Sequence, residues 1–198
     1  MSVSTEPFFA DVEHVITEFS EADRPRARLL LVELDAVAAR VPRVADRCYA
    51  YQARLYLKLA EYEQALIVVE KALLLMPLDD DLLILRGDIF REAAEYSRAL
   101  HEYTRIIAAN PDSVTARIHR AEMHHAQGEH SRALADLDEA LRREPRSLRL
   151  IYRRALVLSD MGRLVDAIYD FQTVARLSPD SELRRRALQR LRELGERE

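Results

Sequence analysis

The stretch ALADLDEALRREP, Ala133–Pro145, decides the fold. Its apolar side chains recur at helical spacing, and Pro145 stops the pattern. The same ending stands at Pro77, Pro111 and Pro179, each 34 residues from the next. Proline has no N–H to give a continuing helix, and it pushes the residue before it out of the helical region. One helix of every unit therefore ends just ahead of its proline. Two residues later come Asp79, Ser113, Ser147 and Ser181, whose side chains suit the N-cap of a new helix.

The chain stacks without gaps as 46–79, 80–113, 114–147 and 148–181. Ala65, Ala99, Ala133 and Ala167 form one column, and Ala53, Gly87, Ala121 and Ala155 a second. Val69, Tyr103, Leu137 and Phe171 form a large apolar column, and Ala72, Ile106, Ala140 and Val174 a fourth. Two antiparallel helices approach closely only where one side chain is small, and large residues then fill the space beside that contact. The breaks within units fall near Ala60–Glu61, Ala94–Glu95, Gly128–Glu129 and Gly162–Arg163. The spacing predicts helix pairs over 46–60 with 63–75, 80–94 with 97–109, 114–127 with 131–143, and 148–161 with 165–177. No segment shows the period-two alternation of a half-buried strand.

A 34-residue helix–turn–helix unit with small, aromatic and proline positions in this order resembles the tetratricopeptide repeat family. The resemblance covers 46–181. It implies an all-α fold, a right-handed α-solenoid of stacked antiparallel helix pairs. The sequence departs from the family pattern at the early tryptophan-type column, where Tyr49, Leu83, Arg117 and Ile151 stand. The central aromatic column reads Tyr56, Phe90, His124 and Leu158, so the third unit is the least typical.

End units of a solenoid lack a neighbour and must differ. Residues 1–45 read as a degenerate N-terminal helix pair, with apolar stripes over 8–20 and 25–40. Residues 182–198 read as a C-terminal solvating helix with Leu183, Ala187, Leu191 and Leu194 on one face.

Composition narrows the function. Of 198 residues 48% are hydrophobic and 32% charged, with a net charge of −4. Arginines alternate with acids throughout, so a nucleic-acid partner is not expected. No apolar run reaches the ~20 residues of a membrane helix, so no membrane insertion is expected. The opening MSVSTEPFFADVEH carries acids where a secretory leader needs a basic start. Cys48 has no second cysteine to pair with, which fits a reducing compartment. The expected location is cytoplasmic.

The sequence shows no glycine-rich phosphate loop, nucleophile elbow or HExxH, so neither catalysis nor a cofactor is expected. Four of the six histidines, His119, His124, His125 and His130, crowd the third unit. None pairs with another at the i,i+3 or i,i+4 spacing that brings helical ligands together, so no metal is expected.

The resemblance also implies a concave groove lined by the first helix of each unit. Carried over by position, it is lined by Arg47, Arg54 and Lys58, by Asp81, Ile84, Asp88 and Arg91, by Ile118, Glu122 and His125, and by Arg149, Tyr152, Leu156 and Asp160. Such a surface suits a peptide or helical segment of another protein, with alternating charge and a few apolar anchors. Some family members clamp the C-terminal carboxylate of heat-shock chaperones. Here the amide side chains that orient that carboxylate are missing, and Arg54 stands where one would be. The chain thus reads as a non-catalytic adaptor or scaffold. The alternative is a structural subunit, for example a homodimer, that self-associates through its N-terminal helices and an outer apolar face. Ile67, Val68 and Leu74 mark that face, being apolar where a second helix usually meets water.

Overall fold

The computed structural model describes residues 5–195. Eleven α-helices and no strand occur among the described residues: α1 (Glu6–Thr17), α2 (Arg24–Arg40), α3 (Ala45–Lys58), α4 (Tyr62–Leu75), α5 (Asp80–Glu92), α6 (Tyr96–Ala109), α7 (Val114–Ala126), α8 (His130–Arg143), α9 (Leu148–Asp160), α10 (Leu164–Leu177) and α11 (Ser181–Gly195). Residues 1–4, at the head of the stretch weighed as a leader, lie outside the described residues.

The proline rule holds to the residue. Helices α4, α6, α8 and α10 end at Leu75, Ala109, Arg143 and Leu177, each two residues before its proline. The turn inside each pair has its own chemistry. Ala60, Ala94, Gly128 and Gly162 sit at φ of 60°, 60°, 76° and 74°, the left-handed region. The next N–H then reaches back to the helix just left: Glu61 to the Tyr56 carbonyl at 2.9 Å, Glu95 to Phe90 at 2.8 Å, Glu129 to His124 at 2.8 Å and Arg163 to Leu158 at 2.9 Å. Each is a Schellman close, which satisfies carbonyls that a helix end leaves open.

The caps vary. The Asp79 carboxylate accepts from the Leu82 N–H at 2.9 Å, and the Ser113 hydroxyl accepts from Ala116 at 3.4 Å. Ser147 makes no side-chain cap bond. Ser181 corrects its expectation, because α11 starts one residue early and Asp180 caps it, accepting from Glu182 and Leu183 at 2.9 and 3.1 Å.

The chain divides into two compact units, Met1–Glu102 and Tyr103–Glu198, with α6 spanning the division. In the first unit, α1 and α2 bury Phe9, Val12, Leu30 and Leu34 completely, in one core with Cys48, Tyr51 and Leu55 of α3. The Phe9 ring stacks on Tyr51 with centroids 5.4 Å apart. The inward faces of the N-terminal helices are thus spent inside the chain's own core, while Leu29 and Val32 of α2 stay 50% and 66% exposed. Burial pushes the Cys48 thiol up to about 11. In the second unit, one core gathers around Leu137, Leu150 and Val157, and another around Phe171, Val174 and Ala187, which brings α11 against α10. The small columns at 53 and 65 are buried at every repeat.

A second set of columns is polar, with its acids buried and its arginines half-buried. Arg86 meets Glu102 at 2.7 Å and Glu70 at 2.7 Å. Arg120 grips Asp136 with two bonds of 2.8 and 2.7 Å and donates to the Thr104 hydroxyl at 3.3 Å. Arg154 grips Asp170 at 2.8 and 2.9 Å and reaches Asp138 at 3.2 Å. These bonds to Asp170 hold the Arg154 guanidinium above its ordinary range. Glu102, Asp136 and Asp170 are 7%, 5% and 2% exposed, so the carboxylates lie inside the helix pairs, each matched by a guanidinium. In the first repeat the same two columns hold Gln52 and Val68 instead. Gln52 donates to Asp35 at 2.8 Å and to the Leu31 carbonyl at 3.2 Å.

Candidate functional site: a pocket between α7, α9 and α11

Within the second unit a pocket of about 440 Å³ opens beside α9. Helix α7 presents Glu122 and His125 to it, α9 presents Arg149, Tyr152, Arg153 and Leu156, and the start of α11 presents Glu182, Leu183 and Arg186. The spacing on α9 explains the convergence. Residues 149, 152, 153 and 156 stand three and four apart and share one helix face. The proline turn at 179 then swings α11 across the end of that face.

The floor is apolar and firm. Tyr152 meets the fully buried Phe171 edge-on with centroids 5.6 Å apart, and Leu156 and Leu183 pack against the same core. The rim is charged and mostly paired. Arg153 bonds Glu122 at 2.7 Å, His125 bonds Asp160 at 2.7 Å, and Arg186 bonds Glu182 at 2.7 Å. The Arg185 and Arg186 guanidinia hold Glu182 below the usual carboxylate range. Arg149 is exposed and forms no ion pair among the described residues. The pocket therefore offers an aromatic and aliphatic seat beside one uncommitted cation.

The expected groove residues separate by unit. In the second, Glu122, His125, Arg149, Tyr152 and Leu156 come together at the pocket, while Ile118 packs against the core around Leu137. In the first, Arg47 lies 4.1 Å over the Phe9 ring and bonds Glu6 at 2.9 Å, so its charge is engaged by α1. Arg54 stands 5.9 Å from the centre of the Tyr51 ring. Asp88 and Arg91 pair with each other at 3.7 Å, and Lys58 and Asp81 are exposed. Ile84 is 8% exposed and belongs to the interior rather than to a groove wall.

The outer face also needs correcting. Ile67 and Leu74 are 58% and 81% exposed, but Val68 is only 8% exposed. Val68 occupies the column that buries Glu102, Asp136 and Asp170 in the later repeats, so it points into its helix pair.

Sequence reasoning missed the contribution of α11. Glu182, Leu183 and Arg186 belong to a helix read only as a solvating cover. The available signal was Pro179, which repeats the turn that opens every first helix and so aims 182–186 at the position a further groove helix would take. Among the described residues no three His, Cys, Asp or Glu side chains gather to hold a metal ion. No described helix is long and apolar enough to cross a membrane.

Comparison with known proteins agrees with the repeat. No curated protein sequence matches the chain. Solved structures do match in fold. A tetratricopeptide repeat protein from Parabacteroides merdae is 17% identical with a TM-score of 0.72, covering 95% of this chain and 73% of that one. YrrB, described as a TPR protein with an unusual peptide-binding site, is 20% identical with a TM-score of 0.62, covering 94% and 100%. The first TPR of Spaghetti (RPAP3), solved bound to the HSP90 peptide SRMEEVD, is 20% identical with a TM-score of 0.54, covering 59% and 90%. Residues 84–141 and 126–182 each match the family described as the tetratricopeptide repeat, together spanning half of the chain. With that match joined to the 34-residue columns and the Schellman-closed helix pairs, the chain belongs to the tetratricopeptide repeat family.

Proposed function

We propose that this protein is a non-catalytic adaptor, which holds an extended peptide or helical segment of a partner protein at the pocket between α7, α9 and α11. The observation that carries this reading is the pairing of a firm apolar floor, Tyr152, Leu156 and Leu183, with the uncommitted Arg149 at its edge. A segment with an apolar side chain next to an Asp or Glu matches both. The floor residues are already packed, so binding costs little further ordering of the protein, and a short segment keeps most of its contact energy. Peptide recognition by two proteins of the same fold, YrrB and the RPAP3 repeat, supports the class of partner.

In this reading residues 46–181 form the four repeats that carry the binding surface. Residues 1–45 form a degenerate pair that closes one end. The segment 182–198 closes the other end and gives the pocket its third wall. A cytoplasmic site of action accords with the single, buried, free cysteine.

Selection from a random peptide library on the immobilised full chain, followed by fluorescence anisotropy of the enriched peptides, tests the proposal. Enriched peptides should share an apolar residue beside an acidic one. Arg149→Glu, at an exposed position, should weaken them at least about tenfold while leaving thermal unfolding unchanged. Enrichment of nothing, or equal affinity for wild type and Arg149→Glu, would overturn the site.

A further inference from the structure

The repeat supplies its own control for surface residues. Positions 67, 74 and 78 of the first repeat correspond to 101, 108 and 112 in the second, 135, 142 and 146 in the third, and 169, 176 and 180 in the fourth. Those later residues are His101, Ala108 and Asp112, then Ala135, Arg142 and Arg146, then Tyr169, Arg176 and Asp180, and all are exposed. The first repeat alone sets three aliphatic residues there. Ile67 is 58% exposed, Leu74 81% and Leu78 89%, so nothing among the described residues covers them. Folding therefore does not account for these residues, because the same outward column is served by polar, charged or small side chains in most of its other positions.

Geometry along α4 identifies the cover. Seven residues make almost two full turns, so Ile67 and Leu74 share one stripe about 10 Å apart. Glu70 and Lys71 lie between them, both exposed. Lay a second α4 antiparallel on this stripe, with the two-fold axis between 70 and 71. Ile67 then faces the partner's Leu74, Leu74 faces the partner's Ile67, Glu70 faces the partner's Lys71, and Lys71 faces the partner's Glu70. Ile67 and Leu74 thus meet apolar partners, and Glu70 and Lys71 meet opposite charges; Lys71 also lies 5.8 Å from the centre of the Tyr49 ring. A parallel arrangement in register would instead set Glu70 on Glu70 of the partner subunit and Lys71 on Lys71 of the partner subunit. Glu70 also accepts from Arg86 at 2.7 Å, but a carboxylate has acceptor sites for both partners.

We propose that α4 is a self-association surface, through which two copies of this chain pair about a two-fold axis with their α4 helices antiparallel. One helix–helix contact with the adjoining Leu78 is small for an interface, so the dimer is a reversible one that fills with concentration.

Light scattering and sedimentation of the full chain, from low micromolar to several hundred micromolar, give the first test. The mass should rise from 22.9 kDa toward twice that value. Leu74→Glu should hold it at the monomer mass with unchanged helicity and unfolding, since that side chain is already exposed. A wild-type protein that stays monomeric throughout overturns the proposal, and so does a Leu74→Glu variant that dimerises as readily. Cross-linking then tests the register. Ile67→Cys with Leu74→Cys in one chain should give covalent dimers under mild oxidation, and either single variant should give few. The native Cys48 is fully buried, with its thiol pushed up to about 11, and does not compete. Single variants that cross-link as fast as the double overturn the antiparallel arrangement.

Discussion

Ala60, Ala94, Gly128 and Gly162 show how little of a repeat a single residue decides, and how sharply it decides it. All four hold the left-handed conformation that closes the Schellman turn. Glycine enters it freely, whereas a residue with a Cβ is strained by roughly 1–2 kcal/mol. A Cβ added at Gly128 would touch nothing within 4 Å, so backbone strain is the only cost. Gly128→Ala should therefore lower stability by about 1–2 kcal/mol in urea titration. An unchanged midpoint would mean the turn has another conformation. The buried pair Arg120 and Asp136 sets a larger stake. Asp136→Ala strands a guanidinium that is 19% exposed, and should cost about 3 kcal/mol or more. These acids were not legible as a core feature. A lone Asp136 in a charge-rich helix reads as solvated surface, and only its recurrence with Arg120 at a fixed interval distinguishes it.

At the scale of the helix, the sequence was most legible where a residue type has one physical use. Proline stops and small columns placed α3 to α10 within two residues of their observed ends, because neither depends on a distant partner. Ala133 is fully buried at the close contact of its helix pair. Ala133→Leu should overfill it and cost about 1–3 kcal/mol. A thermal midpoint equal to wild type would contradict that contact. The pocket was half legible. Glu122, His125, Arg149, Tyr152 and Leu156 were reached through the positions that the family resemblance implies, whereas Arg153 of α9 was missed and α11 was read by its composition rather than by the turn before it. Deleting 181–198 tests the difference. It uncovers Phe171 and Val174, so thermal stability should fall. Leu183→Asp should instead spare most of the stability and remove peptide binding, since Leu183 is only half-buried at the pocket edge. Retained affinity in Leu183→Asp would show that α11 merely covers the end.

At the scale of the whole chain, charge that looks available in the sequence is often already spent. The basic first repeat promised a cationic groove wall, yet Glu6 and Phe9 of α1 engage Arg47. Position in a repeat tells which way a side chain points, but not which neighbour arrives first. The paired arginines have a further consequence. Arg154 is held by Asp170 in its own repeat and by Asp138 in the one before, and Arg120 by Asp136 and Thr104 in the same manner. Opening one repeat would leave Arg154 without the Asp138 part of its counter-charge, and Arg120 without the Thr104 acceptor. In a stacked array, stability is the sum of each repeat's own term and a nearest-neighbour term, and these shared arginines enlarge the second. The end repeat of the second unit should therefore not fray by itself. Amide exchange of α8, α9 and α10 should proceed through one common opening, and Asp138→Ala should split it into separate, faster steps. The same residues that keep carboxylates company in the interior thus govern whether neighbouring repeats melt together or one at a time.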